Sequence, residues 1–201
     1  MGTYIAIYSI IFFLIFVNIK LNYFTNNFLI ILISFFYIFL IGFRFDVGGD
    51  WINYEFMYNN VFLLNELYSH ILTLNIKNIL IIINQINFGF DILTSLSRTF
   101  DLGFQGLNFL NAILLILGLY YFSKNKNNKL LIYLISFPIL IIIVGMGYTR
   151  QASALGLLLI SVSFLEERKI KESLFFVFLA FTFHKTAIIF GIVYVFYFNK
   201  I

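Results

Sequence analysis

The chain has 201 residues, 62% hydrophobic, 21% aromatic and only 11% charged, and its mean hydropathy is +0.98. That composition excludes an ordinary soluble domain, and near-continuous runs of Phe, Ile and Leu exclude the alternating pattern of a membrane β-barrel. The net charge of +4 is divided among short loops, which argues against a nucleic-acid partner, and the absence of cysteine excludes disulfides and thiolate metal sites.

In chain order, apolar runs predict membrane helices at 4–19, 28–42, 104–122, 130–144 and 152–165, followed by the stretch 174–198. The first run lacks a basic leader and a small-residue cleavage site, so it reads as a retained span. His184-Lys185-Thr186 interrupts the last stretch and leaves two halves too short for comfortable spans. Two short spans meeting at an outer turn at His184 are favoured over one long, tilted helix. Segment 43–103 is less apolar, and its run at 79–83 is too short to span. There Phe90, Leu93, Leu96 and Phe100 share one helical face, with Asp91, Thr94, Ser95 and Arg98 on another. External helices lying on the membrane surface and roofing the bundle are expected. With no linker, low-complexity tract or repeat, residues 1–201 read as a single integral-membrane domain. It is all-α, a polytopic bundle of about six or seven spans.

Basic turns orient the bundle. Lys124, Lys126 and Lys129 crowd one turn and Arg168, Lys169 and Lys171 another, so both are assigned to the cytoplasmic side, with Lys20 and Lys200 in agreement. The opposite, outer side then receives 43–103, 145–151 and the turn at His184. Six acids fall there: Asp46, Asp50, Glu55, Glu66, Asp91 and Asp101.

Three polar patches on that outer side carry the candidate chemistry, since ionisable groups beside lipid need a reason to be there. The first runs from Gly42 to Tyr54. Arg44 offers a planar fork suited to phosphate, and Asp46 and Asp50 are able to hold it or act as a base. Gly48-Gly49 lets the backbone turn sharply and approach a ligand, while Trp51 and Tyr54 are types that stack on sugars or anchor an interface. The second patch is Gly145–Ala152, where Arg150 opens a helix whose free N–H groups also favour an anion. The third is Phe183-His184-Lys185-Thr186-Ala187, with His184 as an acid or base and Lys185 as a point charge for phosphate. Plainer readings are an interfacial turn, an arginine reaching the interface and a structural histidine. No metal-ligand spacing, nucleotide-binding loop or nucleophile elbow is present, so no metal, nucleotide or other cofactor is expected.

The ordered set Gly42/Arg44/Gly48/Asp50/Tyr54, Arg150/Gln151/Ala154 and Phe183/His184/Lys185/Thr186/Ala187 resembles the EpsG family of bacterial polysaccharide polymerases, relatives of the Wzy O-antigen polymerases. Phe88-Gly89-Phe90 and Gly103-Phe104-Gln105 fit the family's middle region. Two features depart from the family pattern: Asn87 stands where a Glu usually precedes the Gly-Phe pair, and members usually continue through further spans, so a truncated chain is one expectation. The resemblance implies a GT-C-like enzyme of the bacterial cytoplasmic membrane, independent of metal and nucleotide. It would transfer polyprenyl-diphosphate-linked glycan onto another lipid-linked repeat unit at the outer face. Asp50 and His184 would then be catalytic, and Arg44, Asp46, Trp51, Tyr54, Arg150, Gln151 and Lys185 would bind substrate. Implied partners are the lipid-linked oligosaccharide, membrane lipid, and a chain-length regulator or other polysaccharide-assembly proteins. The rival expectations are a transporter or flippase for the same lipid-linked glycans, or an inactive fragment. A transporter would spread polar groups through the membrane depth, whereas these cluster at outer ends.

Overall fold

The computed structural model describes residues 2–17, 23–61, 63, 87–192 and 194, and among them the secondary structure is entirely helical. The helices are α1 (Gly2–Val17), α2 (Tyr23–Gly42), α3 (Trp51–Asn60), α4 (Phe88–Thr99), α5 (Gly103–Ser123), α6 (Lys129–Ser136), α7 (Thr149–Glu166) and α8 (Ile170–Phe183). A π-helical segment, Phe137–Gly145, continues α6, and a 3₁₀ turn, Lys185–Phe190, follows α8. Each predicted apolar run is helical where it is described. The run at 79–83 and residues Glu66, His70 and Lys77 lie outside the described residues.

Among the described residues one helix, α5, is long and apolar enough to cross a membrane; Asn26–Gly42 and Lys129–Gly145 are apolar but shorter. At 1.5 Å per residue, α5 with its 21 residues reaches about 31 Å, the thickness of a hydrocarbon core. The outward faces are apolar too: Phe35 and Phe39 on α2, Leu117 on α5, Ile135 and Ile139 on α6 and its continuation, and Phe175 and Phe178 on α8 are all exposed. Helices this hydrophobic on every side suit lipid better than water.

α7 is the central helix, packed between α5 and α8, and α2 packs against α5. The α5–α7 crossing depends on two glycines. A Cβ at Gly118 would collide with the backbone of Gly156, and one at Gly156 with the carbonyl of Leu114. Small residues at such a crossing let two backbones approach, which matters most in lipid, where apolar burial drives little association. Gly156→Val is therefore expected to cost about 1–3 kcal/mol or more by overpacking. Thermal melting of detergent-solubilised protein checks this, with Ala154→Gly on the same helix as the mild comparison.

The π-helical stretch has a local cause. Pro138 lacks an amide hydrogen and sits in the first turn of Phe137–Gly145, so the regular hydrogen-bond ladder from α6 cannot continue through it. The widened turns end at Gly145, and the Gly145 carbonyl accepts a hydrogen bond described below.

α4 corrects the expected orientation of its faces. The helix forms over Phe88–Thr99, but Thr94, Ser95 and Ser97 are fully buried whereas Phe100 at its end is two-thirds exposed. The hydroxyls remain satisfied on the inside: Thr94 donates to the Phe90 carbonyl at 2.9 Å and Ser97 to the Gly103 carbonyl at 2.8 Å. A small polar face packs closely while Phe88 and Phe100 at the helix ends turn outward, unlike a helix lying over a water-soluble core. Of the apolar face, Phe90 is fully buried and Leu93 packs, partly buried, against the same core.

The two ends of the bundle differ in chemistry. At one end Lys126 pairs with Glu166 at 2.5 Å, Asn125 donates to Glu167 at 3.3 Å, and Lys129 donates to Asn27 at 2.8 Å. At the other end lie the α2–α3 loop, the start of α4, the Gly145–Gln151 turn and His184.

Candidate functional site

The backbone gathers the three polar patches at that second end by different means. Gly48 adopts φ 111°, in the left-handed region, and a Cβ there would collide with the Met146 carbonyl. The glycine thus brings the first patch against the second; the backbone it approaches is the protein's own rather than a ligand's. Asp46 also has positive φ, 49°, tolerable for aspartate, and its side chain is exposed.

Arg44 is buried and fully engaged at its tip. One terminal nitrogen donates to the Gly145 carbonyl at 2.8 Å, and the other to Asn108 Oδ1 at 3.0 Å and Thr149 Oγ1 at 2.6 Å. Its Nε and the neighbouring Asn108 Nδ2 are buried without hydrogen-bond partners among the described residues. Trp51 lies beneath the guanidinium, 5.8 Å from its carbon. The expected holding of Arg44 by Asp46 or Asp50 is replaced by neutral partners on α5 and α7. Burial lowers the Arg44 pKa to about 10, which leaves it charged at neutral pH. Arg44 ties the α2–α3 loop to two helices.

Trp51 and Tyr54 are also internal. Trp51 packs edge-on against Phe104 with centroids 4.8 Å apart, and Tyr54 lies tilted against Phe90 at 5.7 Å. Both rings are spent on the protein core rather than presented to a sugar. Asp50 occupies the position preceding α3, yet its carboxylate makes no capping hydrogen bond.

Arg150, in the first turn of α7, is half-buried with its guanidinium carbon 5.5 Å from the centre of the Tyr54 ring. Its charge reaches two titratable groups. One is Asp91 on α4, whose pKa burial raises to about 6 despite the opposing pull of Arg150. The other is His184, held below the usual histidine range by burial and then by Arg150. α4 is pressed toward His184 at Gly89, where a Cβ would collide with Thr182 Oγ1 and the Phe183 ring.

His184 ends α8 in an extended conformation, φ −151°, which confirms the break predicted there. Its Nδ1 shares a 2.6 Å hydrogen bond with Thr186 Oγ1, and its Nε2 faces Gln151 Nε2 at 3.5 Å. A neutral imidazole protonated on Nδ1 satisfies both contacts, donating to Thr186 and accepting from Gln151. Lys185 is exposed at the rim. Beneath Gln151 and His184 opens a cavity of about 460 Å³, floored by Ala154, Leu155, Leu158, Ala187, Ile189 and Phe190.

The structure therefore unites Arg150, Gln151 and His184, as the sequence order suggested, and adds Asp91. Sequence reasoning had placed Asp91 only on the polar side of a surface helix. The usable signal was its place in the first turn of α4, one turn beyond Asn87 on the same face.

An all-helical fold with outward-facing apolar sides, whose described ionisable groups gather toward the two ends of the bundle, defines a membrane protein. Residues 27–201 match the EpsG family, and the chain belongs to that family of polysaccharide biosynthesis-related membrane proteins. No curated protein and no solved structure matches it.

Proposed function

We propose that this chain is a polysaccharide polymerase. It spans the bacterial cytoplasmic membrane as a multi-pass bundle with its polar end outward, and it transfers polyprenyl-diphosphate-linked glycan onto another lipid-linked repeat unit. The observation that carries the reading is the gathering of Arg150, Asp91, Gln151 and His184 at one end of the bundle, with Gln151 and His184 at the mouth of an apolar-floored cavity, opposite the Lys124–Lys129 and Arg168–Lys171 turns. Basic turns favour the cytoplasm, which leaves the site outside.

In this reading the acceptor oxygen bonds to the anomeric carbon as the bond from that carbon to the diphosphate oxygen breaks. Arg150 stabilises the charge that gathers on the departing diphosphate, and Lys185 at the rim adds a second cation. The proton of the acceptor hydroxyl passes to Asp91, whose burial brings its pKa near the working range of a base. His184, kept neutral, accepts a hydrogen bond through Nε2; with Asp50 it is the further candidate for proton transfer. The diphosphate is an activated leaving group, so the scheme requires no nucleotide.

Complementation of a polymerase-deficient strain tests the reading. The wild-type chain is expected to restore long glycan, and Arg150→Ala to leave single repeat units at normal protein abundance. Equal glycan length from both would sink the proposal.

A further inference from the structure

We propose that the cavity between α7 and the 3₁₀ turn is the seat of the phosphate-proximal end of an isoprenoid chain, with the phosphate at its Gln151–His184 mouth. The inference rests on the polymerase reading and assigns one part of that substrate to one groove.

The groove is built from a single face of α7. Gln151, Ala154, Leu155 and Leu158 recur at the spacing that aligns side chains along a helix. From Gln151 to Leu158 the axis descends about 10 Å. Polarity changes along that descent. Gln151, His184 and Thr186 stand at the top, whereas Leu155, Leu158, Ile189 and Phe190 lie below, with hydrogen-bonding groups confined to the top. A pocket of about 460 Å³ falls within the usual range for a small-molecule site. Two of its wall residues are small, Ala154 on α7 and Ala187 on the 3₁₀ turn, both buried, which leaves room between the two elements.

The occupant must therefore be amphiphilic, with one polar end and a hydrocarbon body. Charge selects the sign of that end. Arg150 precedes Gln151 on the same turn of α7, and Lys185 is exposed beside His184, while the mouth residues themselves bear no carboxylate. Asp91, on α4, is not part of the groove lining. An anionic head over an apolar tail fits this arrangement; another helix of a protein would leave Gln151 and His184 facing hydrocarbon without purpose. Exposed Ile188 and Ile192 beside the groove allow such a chain to pass from lipid without crossing water.

The test uses the full chain in lipid nanodiscs and a short isoprenyl monophosphate carrying a photoreactive group on its second isoprene unit. Labelling is expected at Leu155–Leu158 and at residues 187–190. It should be displaced by unlabelled isoprenyl phosphate, and at least about tenfold less well by the matching isoprenol or by inorganic phosphate, a difference of about 1.4 kcal/mol. Ala154→Phe fills the groove and is expected to reduce labelling about tenfold. Ile189→Trp narrows it from the more exposed wall and serves where Ala154→Phe lowers the melting temperature. Labelling spread over the lipid-facing helices, equal displacement by the isoprenol, or unchanged labelling in both folded variants would overturn the assignment. The two readings fail separately. Lost glycan in Arg150→Ala with unlocalised labelling removes the groove and leaves the polymerase; localised labelling with no complementation by wild type removes the polymerase and leaves a carrier site.

Discussion

Asp91→Asn is expected to raise the melting temperature at pH 7.5 while reducing glycan polymerisation by about 10²–10⁴-fold, the usual scale for loss of a general base. The two effects share one cause. Burial lifts the Asp91 pKa from 3.8 to about 6, so the folded protein binds this proton more tightly than the unfolded chain does. Stability from this group is fully present below pH 3.8, declines between 3.8 and 6, and is lost above, where a half-buried carboxylate must carry charge. The difference corresponds to about 3 kcal/mol at most, reduced by whatever solvent reaches the group. Asparagine keeps the shape and removes that charge at every pH. Melting curves at pH 4 and pH 7.5 check the sign: the gain should appear at pH 7.5 and vanish at pH 4. A carboxylate that served only to hold the fold would give the opposite result, a loss on substitution at neutral pH. Arg150→Ala supplies a second check, since removing the cation should lift the Asp91 pKa further and let the His184 pKa rise back toward the usual histidine range.

Much of this arrangement is legible in the sequence. Apolar runs mark the helices because each must bury or expose hydrocarbon along its whole length, and the two Lys-rich turns divide the ends before any coordinates exist. The break at His184 is legible because three consecutive polar residues cannot remain in a hydrocarbon-facing helix. What escapes is information that depends on distant partners. Arg44 finds Asn108 and Thr149, which are 64 and 105 residues away, and nothing near Arg44 announces them. The inward turn of Thr94, Ser95 and Ser97 escapes because polarity normally indicates exposure, an expectation that close helix packing in lipid reverses. Asp91 escapes for a related reason. Its chemistry comes from burial beside Arg150, and attention to the missing Glu at Asn87 points one turn too early.

Arg44→Met is expected to damage the fold before it damages chemistry. The substitution relieves a real cost: burial lowers the guanidinium pKa well below its usual range, to about 10, which corresponds to about 3 kcal/mol against the buried charge. Against this stand three hydrogen bonds from a charged donor, to Gly145, Asn108 and Thr149, each contributing about 1.5–3 kcal/mol and not fully additive. The bonds outweigh the relief, and a net loss of about 2–5 kcal/mol follows. Lysine should not rescue it, because a single ammonium cannot reproduce the fork that serves a π-helix end, an α5 amide and an α7 hydroxyl together. Melting of Arg44→Met and Arg44→Lys in detergent, set beside glycan length in complemented cells, separates two roles. If both variants melt like wild type and yet make no long glycan, Arg44 holds substrate and its contacts here are incidental. If both melt early and glycan falls only with protein abundance, Arg44 is the tie that seats the α2–α3 loop on the bundle, and the anion is left to Arg150. The second outcome is the expected one, since a fork already committed to three protein acceptors would have to break those bonds before it reached a diphosphate.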